Sequence, residues 1–190
     1  MAYYNENFRE DLTHIIKDEY FEDWLEIVKD ILLHKEFQKR KLFHHHKGNL
    51  WEHLTEVSYY SYLMAKTKNA DERVCAIAGL LHDFYPKAYK YSQELYDENP
   101  EYLTDVKKKQ PIHQMHGFTH AEAAAKNAWK YFPEFMNEKI ESCIKTHMFP
   151  LNITPPKYKE GWIVQYVDKK LSIGLINKIR YLLGKRNKNM

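Results

Sequence analysis

The feature that most restricts the fold of this chain is a hydrophobic segment ending in a histidine–aspartate pair. Apolar residues recur at helical spacing within residues 71–83, which predicts an amphipathic or buried helix. Pro86 cannot continue that helix, so we expect it to end just after His82 and Asp83. An imidazole and a carboxylate are costly to bury without partners. The pair therefore needs a metal ion, a counter-charge or a hydrogen-bond network.

Apolar stripes at helical spacing also occur along the rest of the chain, without strand-like alternation or hairpin turn signals. We therefore predict an all-α fold, a single compact helical domain with two N-terminal helices. Besides the segment above and the two capped helices described below, the stripes predict helices over residues 5–18, 19–40, 137–147, 159–172 and 175–183.

The pattern also suggests how the chain is divided. Residues 1–45 are predicted to be an N-terminal helical segment packed on the core, and residues 46–184 the main helical domain. Within that domain, residues 84–115 are polar and have little periodicity, which is typical of an insertion or lid over a site. Residues 185–190 are predicted to be a short disordered tail.

The composition excludes several classes of partner. The 190 residues carry a net charge of +3, with 44% hydrophobic and 29% charged residues, as in an ordinary globular protein. So weak a charge does not indicate a nucleic-acid polymer as partner. No apolar run reaches about 18 residues and no signal peptide is evident, so we expect no membrane contact and a cytoplasmic location. Cys75 and Cys143 are expected to be reduced thiols.

Two helix starts bring further histidines into consideration. Asn49 with Glu52 is a variant of the capping box and opens a helix in which His53 borders the apolar stripe. Thr119 with Glu122 is a regular capping box, which predicts that His120 occupies the first helical position. His116 lies one helical turn earlier and is an alternative to His120.

Two later positions complete the set of candidates. His147, like His82, lies at the C-terminal end of an apolar stripe, so both imidazoles could face one cavity. Asp168 falls inside an otherwise apolar helix face, where an aspartate is rarely left unpaired.

These polar residues permit two interpretations. They could be ordinary buried groups bonded to the abundant tyrosine hydroxyls, or they could bind a metal ion. Histidine and carboxylate donors suit Fe, Mn, Co, Ni or Zn better than Ca. The residues concerned are His53, His82, Asp83, His116 or His120, His147 and Asp168.

The order of these residues resembles the HD domain superfamily of metal-dependent phosphohydrolases. The resemblance covers residues 46–172 and rests on separate motifs that occur in the expected order. They are Glu52-His53, Ala78-Gly-Leu-Leu-His-Asp83, Thr119-His120-Ala-Glu-Ala-Ala124, Thr146-His147 and Tyr166-Val-Asp168.

The resemblance implies a ligand set for one or two divalent transition metal ions. A first ion would be held by His53, His82, Asp83 and Asp168. Asp83 would bridge to a second ion held by His120 and His147, and His82 with Asp83 would form the catalytic pair. His120 is preferred to His116 as the third histidine, with His116 next to the ligands or facing substrate.

The implied reaction is hydrolysis of a small phosphoester, such as a nucleotide, by a hydroxide that bridges the metal ions. Lys87 and Lys169 are candidates to contact substrate phosphate. Three consecutive histidines before Lys47 are most simply a polar loop, although His46 is a further candidate because the loop leads into a ligand helix. Two alternatives stay open, a di-iron oxygenase of the same fold and a non-catalytic ligand-sensing domain. The oligomeric state is also left open.

Overall fold

The computed structural model describes residues 5–45, 48–88 and 116–173, and this part of the chain is mainly helical. The all-α prediction is confirmed. The 3-10 helices are Phe8–His14, Lys39–Leu42 and Pro133–Phe135. The α-helices are α1 (Phe21–Leu33), α2 (Lys35–Gln38), α3 (Leu50–Lys68), α4 (Glu72–Leu81), α5 (His116–Tyr131), α6 (Glu138–Thr146) and α7 (Lys159–Ser172).

Helix α3 forms the centre of the core. It packs against α4 and α7, while α4 also contacts α1, α6 and α7, and α5 packs on α6. The α3–α4 contact is very close, since a Cβ atom added at Gly79 would lie 2.9 Å from the Cα atom of Ser58. The hydroxyl of Ser58 donates a hydrogen bond to the carbonyl of Ala76 at 2.7 Å and so ties the two helices together.

Side-chain caps fix where three of the helices begin. Asn49 accepts a hydrogen bond from the Glu52 amide at 2.9 Å, as the sequence predicts for the start of α3. Asp71 caps α4 and Asn137 caps α6 in the same way. These caps orient the three helices whose residues or ends carry His53, His82 and His147.

One short hairpin precedes α3, and the sequence did not predict it. Strand β1 (His44–His45) pairs antiparallel with β2 (Gly48–Asn49), with His44 opposite Asn49 and His45 opposite Gly48. The amide of Leu50 donates to the carbonyl of Phe43 at 2.8 Å and closes the open end of the hairpin.

The N-terminal region differs in detail from the predicted helices. Instead of one helix over residues 5–18, the chain forms a 3-10 helix in which Leu12 leaves helical dihedral angles and points into the core. The helix predicted over residues 19–40 is divided at His34, which is extended and whose ring accepts a hydrogen bond from the Glu36 amide. His34 therefore acts as an N-cap and starts a new helix.

Several predictions concern residues outside the described ranges. The helix over residues 175–183, the tail at 185–190 and residues 89–115 of the predicted insertion belong to this group. Phe84 and Ala88, near the start of that insertion, are buried in the core. Within the described ranges, no helix has both the length and the apolar character needed to cross a membrane.

Candidate metal centre

The end of α4 presents His82 with a defined tautomer. The helix ends at Leu81, slightly earlier than predicted, and His82 occupies the C-cap. Its Nδ1 atom lies 2.8 Å from the carbonyl oxygen of Gly79. A carbonyl can only accept a hydrogen bond, so Nδ1 carries a proton, and in the neutral ring Nε2 keeps its lone pair.

The end of α6 presents His147 in the same manner. His147 is the C-cap, and its Nδ1 atom donates to the carbonyl of Ile144 at 2.7 Å. The rings of His82 and His147 meet edge to face, with centroids 4.9 Å apart. Both Nε2 atoms are thereby available as metal ligands, because a backbone carbonyl fixes the opposite nitrogen of each ring.

His120 reaches the same place from within α5. The helix begins at His116, so the predicted N-cap role of Thr119 and the first-position assignment of His120 are wrong. The alanine-rich sequence favours helix strongly enough to extend it by one turn beyond the capping signal. His120 is buried, while His116 is described only by its backbone.

Asp83 lies between two groups of histidines. Its Oδ1 atom is 3.2 Å from Nε2 of His120 and 3.4 Å from Nε2 of His147. The two Nε2 atoms of those histidines are 3.1 Å apart. The other oxygen of Asp83, Oδ2, faces Nε2 of His82 at 3.8 Å. One carboxylate thus faces both groups.

Asp168 completes the second group. Its Oδ1 atom, presented by α7, lies 3.1 Å from Nε2 of His53 and 3.5 Å from Nε2 of His82. The hydroxyl of Ser172 donates to the same oxygen at 3.3 Å. Helices α3, α4 and α7 therefore each supply one part of this group.

The predicted ligands are brought together in one buried group, called here the histidine–aspartate cluster. Its members come from five regions of the chain, and each is at most 8% exposed. They are His53, His82, Asp83, His120, His147 and Asp168.

The histidines and aspartates of the cluster change one another's pKa values. Burial lowers the pKa of His82, but Asp83 and Asp168 raise it more, so that it increases from 6.5 to about 9. Burial alone would raise the pKa of Asp83, yet the imidazoles around it, His82 first, hold it well below its ordinary value. Asp168 behaves likewise through His53 and His82. Both carboxylates are therefore ionised and favour positive charge at this place.

The geometry fits a bound cation. Nε2 of His82 and Oδ1 of Asp83 are buried, and neither makes a hydrogen bond of good geometry in the part of the chain that is described. When the rings of His82 and His147 are neutral, the lone pairs on their Nε2 atoms face carboxylate oxygens and repel them, unless a cation lies between. With metal–ligand bonds of about 2.0–2.2 Å, neighbouring ligand atoms lie about 2.9–3.5 Å apart. The separations of 3.1, 3.2 and 3.4 Å among Asp83, His120 and His147 lie in that range.

The residues predicted to contact substrate are not shown to be part of the cluster. Lys169 follows Asp168 on α7, but its side chain is exposed and its ammonium group donates to the carbonyl of Phe149. Lys87 is exposed in the turn after α4. His46 lies outside the described residues, as does the side chain of His116.

One residue beside the cluster, His45, was not predicted from the sequence as part of a site. Its ring lies against that of His53, with centroids 4.2 Å apart and an angle of 34° between the planes. Ligand atoms of His45, His53 and Asp83 lie within 4.8 Å of one another. Only the strand register distinguishes His45 from its neighbours in a run of identical residues, and the short hairpin leaves no periodicity from which that register could be predicted.

Comparison with known proteins agrees with the geometry. The family model described as HD domain matches residues 50–172, which is more than half of the chain and contains the whole histidine–aspartate cluster. Neither a curated protein nor a solved structure matches the chain significantly.

Proposed function

The chain belongs to the HD domain family, and from that premise we propose that it hydrolyses a small phosphoester, such as a nucleotide, with divalent transition metal ions bound in the histidine–aspartate cluster. The observation that carries this proposal is the position of Asp83, whose two oxygens face two separate groups of imidazole nitrogens.

The proposed ligand assignment follows those two groups. His53, His82 and Asp168 would hold one metal ion together with Asp83, and His120 and His147 would hold a second ion on the other side of Asp83. Imidazole nitrogens and carboxylate oxygens are donors that Fe, Mn, Co, Ni and Zn accept. The separations support this division, since they are 3.1–3.8 Å in the group with Asp168 and 3.1–3.4 Å in the group with His120.

The bound ions would supply Lewis acidity to the phosphoryl group and to the attacking water. The protein's own contribution is to hold the donors rigidly. The carbonyls of Gly79 and Ile144 fix the rings of His82 and His147, so no reorientation is needed when substrate binds. Burial of the cluster limits access of bulk water, which strengthens each electrostatic interaction within it.

Water is a better candidate nucleophile than a cysteine of this chain. Cys75 and Cys143 are both buried, and burial raises the pKa of each thiol, to about 12 for Cys143. Neither side chain therefore provides a thiolate near neutral pH. A hydrolytic reaction needs no such group when metal ions activate water.

The test is turnover of a panel of nucleotides and other small phosphomonoesters by protein reconstituted separately with Fe, Mn, Co, Ni and Zn. We expect release of inorganic phosphate that a chelator abolishes and added metal restores. Protein with full metal content that releases no phosphate from any member of the panel contradicts the proposal. Consumption of dioxygen by the iron-loaded protein would instead support an oxygenase.

A further inference from the structure

We infer that His45 contacts the phosphate group of the substrate through a ring N–H, as a binding residue beside the proposed metal ligands. This inference rests on the proposed function and adds to it a residue that determines affinity for the phosphoryl group. It starts from the ring contact with His53 and the position of a His45 nitrogen within 4.8 Å of ligand atoms of His53 and Asp83.

The hairpin holds His45 in place. His45 pairs with Gly48 across the two strands, and Asn49 both ends β2 and caps α3. Gly48 lies directly against the first turn of α3, because a Cβ atom there would come within 2.6 Å of the Glu52 carboxylate. The hairpin is therefore fixed to the start of the helix that carries His53, four residues after the cap.

His45 and His44 lie on opposite faces of strand β1. Successive side chains of a strand point to opposite faces. His44 is exposed, whereas His45 is half-buried. The members of the histidine–aspartate cluster are buried. His45 accordingly lies at the border between the cluster and solvent, where a substrate must approach.

The number of donors favours a substrate contact over a metal contact. On the side next to His45, the proposed ion already has four protein ligands from His53, His82, Asp83 and Asp168. Catalytic metal sites keep positions open for water and substrate. A neutral imidazole always has one N–H group, which can donate to a phosphate oxygen. A hydrogen bond to a charged oxygen is worth enough to change affinity about tenfold.

The experiment compares wild-type protein with His45→Ala, His45→Gln and His44→Ala. His44→Ala is the matched control, since it removes the same side chain from the opposite face of the same strand. Each protein is loaded with cobalt(II), its metal content is measured, and the visible spectrum is titrated with inorganic phosphate. Turnover of the best phosphoester from the panel gives kcat and KM separately.

We expect His45→Ala to bind phosphate about tenfold more weakly and to raise KM, with unchanged metal content. His45→Gln, which keeps an N–H donor, should recover part of the affinity, and His44→Ala should match wild type. Equal phosphate affinity in His45→Ala and His44→Ala, with an active wild type, overturns the inference alone. A fall in metal content in His45→Ala also overturns it, by making His45 a ligand. A wild type that neither binds phosphate nor releases it overturns the proposed function as well.

Discussion

The two sides of Asp83 offer different donors. On one side, Asp168 adds a second carboxylate to the imidazoles of His53 and His82. On the other, His120 and His147 face the Oδ1 atom of Asp83, and the cluster supplies no second carboxylate there. A site with two carboxylates attracts a divalent cation more strongly than a site with one. We therefore expect the two proposed ions to be bound with unequal affinity.

The two sides of Asp83 also differ in the helices that support them. The side with two carboxylates is built from α3, α4 and α7, which pack closely around the core. The other side is built from α5 and α6, which Lys145 of α6 joins at the surface through an ion pair with Glu122 of α5 at 3.3 Å. Exposed ion pairs of this kind contribute little to stability. We expect the His120–His147 side to lose its ion first when chelator is added.

The largest effect is expected from Asp83→Asn, which keeps the shape of the side chain but removes the charge that both sides share. Loss of groups that merely orient a ligand already costs about 10–100-fold. We therefore expect at least about a thousandfold loss of turnover and little bound metal. Metal content and kcat measure this, with circular dichroism as the folding control. Retention of one ion and near-normal activity would show that the two sides do not depend on Asp83.

On the side of His82, the stability of the metal-free protein should depend on pH. The pKa of His82 is raised to about 9, above its ordinary 6.5, so protonated His82 stabilises the folded state. This stabilisation is complete below about pH 6.5 and is lost as the pH rises through about 9. We expect the free energy of unfolding to fall by about 1–3 kcal/mol over that interval.

Chemical denaturation at several pH values measures this dependence, with His82→Gln as the control that should remove it. Metal-loaded protein should behave differently, because ligation requires the neutral imidazole. A metal-free wild type whose stability does not change between these pH values would contradict the charge assignment on this side.

A loss of unfolding free energy of similar size is expected from Gly79→Ala, which disturbs the packing of α3 against α4 on the same side. The new methyl group would meet the backbone of Ser58 at 2.9 Å and force α3 and α4 apart. Overpacking of this kind costs about 1–3 kcal/mol. Gly117→Ala in α5 is the matched control, since among the described residues its methyl group meets only the flexible end of Leu151, at 3.2 Å. Equal unfolding free energies for the two variants would refute the packing argument.

The smallest effect is expected from Lys145→Ala. This change removes the ion pair of Lys145 with Glu122, which joins α6 to α5, and its pair with Glu141 within α6. Because the side chain of Lys145 is 37% exposed, we expect a loss of less than about 1 kcal/mol and no change in metal content. Thermal unfolding and elemental analysis measure the two quantities. Loss of an ion in this variant would mean that the surface pairs, and not the caps and core, position His120 and His147.

Sequence periodicity was sufficient to predict the helices that carry the cluster. His82 and His147 follow apolar stripes that end near helix breakers, and the structure places both as C-caps. Asp168 interrupts an apolar face, and such an interruption can be recognised in a sequence without any structure. These signals are local and predict where the helices end, whereas the grouping of the residues as one ligand set was implied by the resemblance to the HD domain superfamily.

Other features depend on contacts that are distant in sequence. The capping signal at Thr119 did not set the start of α5, because a local cap competes with strong helix propensity around it. The position of His45 depends on pairing with Gly48 and on the contact of that hairpin with α3. Leu12 turns into the core at a kink that its helical spacing does not indicate.

The most direct test of the account is the metal content per chain of wild type and His147→Ala, both purified without chelator and without a histidine tag. Mass spectrometric elemental analysis should find about two ions in wild type and about one in the variant, with the remaining ion on the side of Asp168. One ion in both proteins would remove His147 from the ligand set. No ion in either, even after reconstitution with Fe, Mn, Co, Ni and Zn, would contradict the assignment of the cluster as a metal centre.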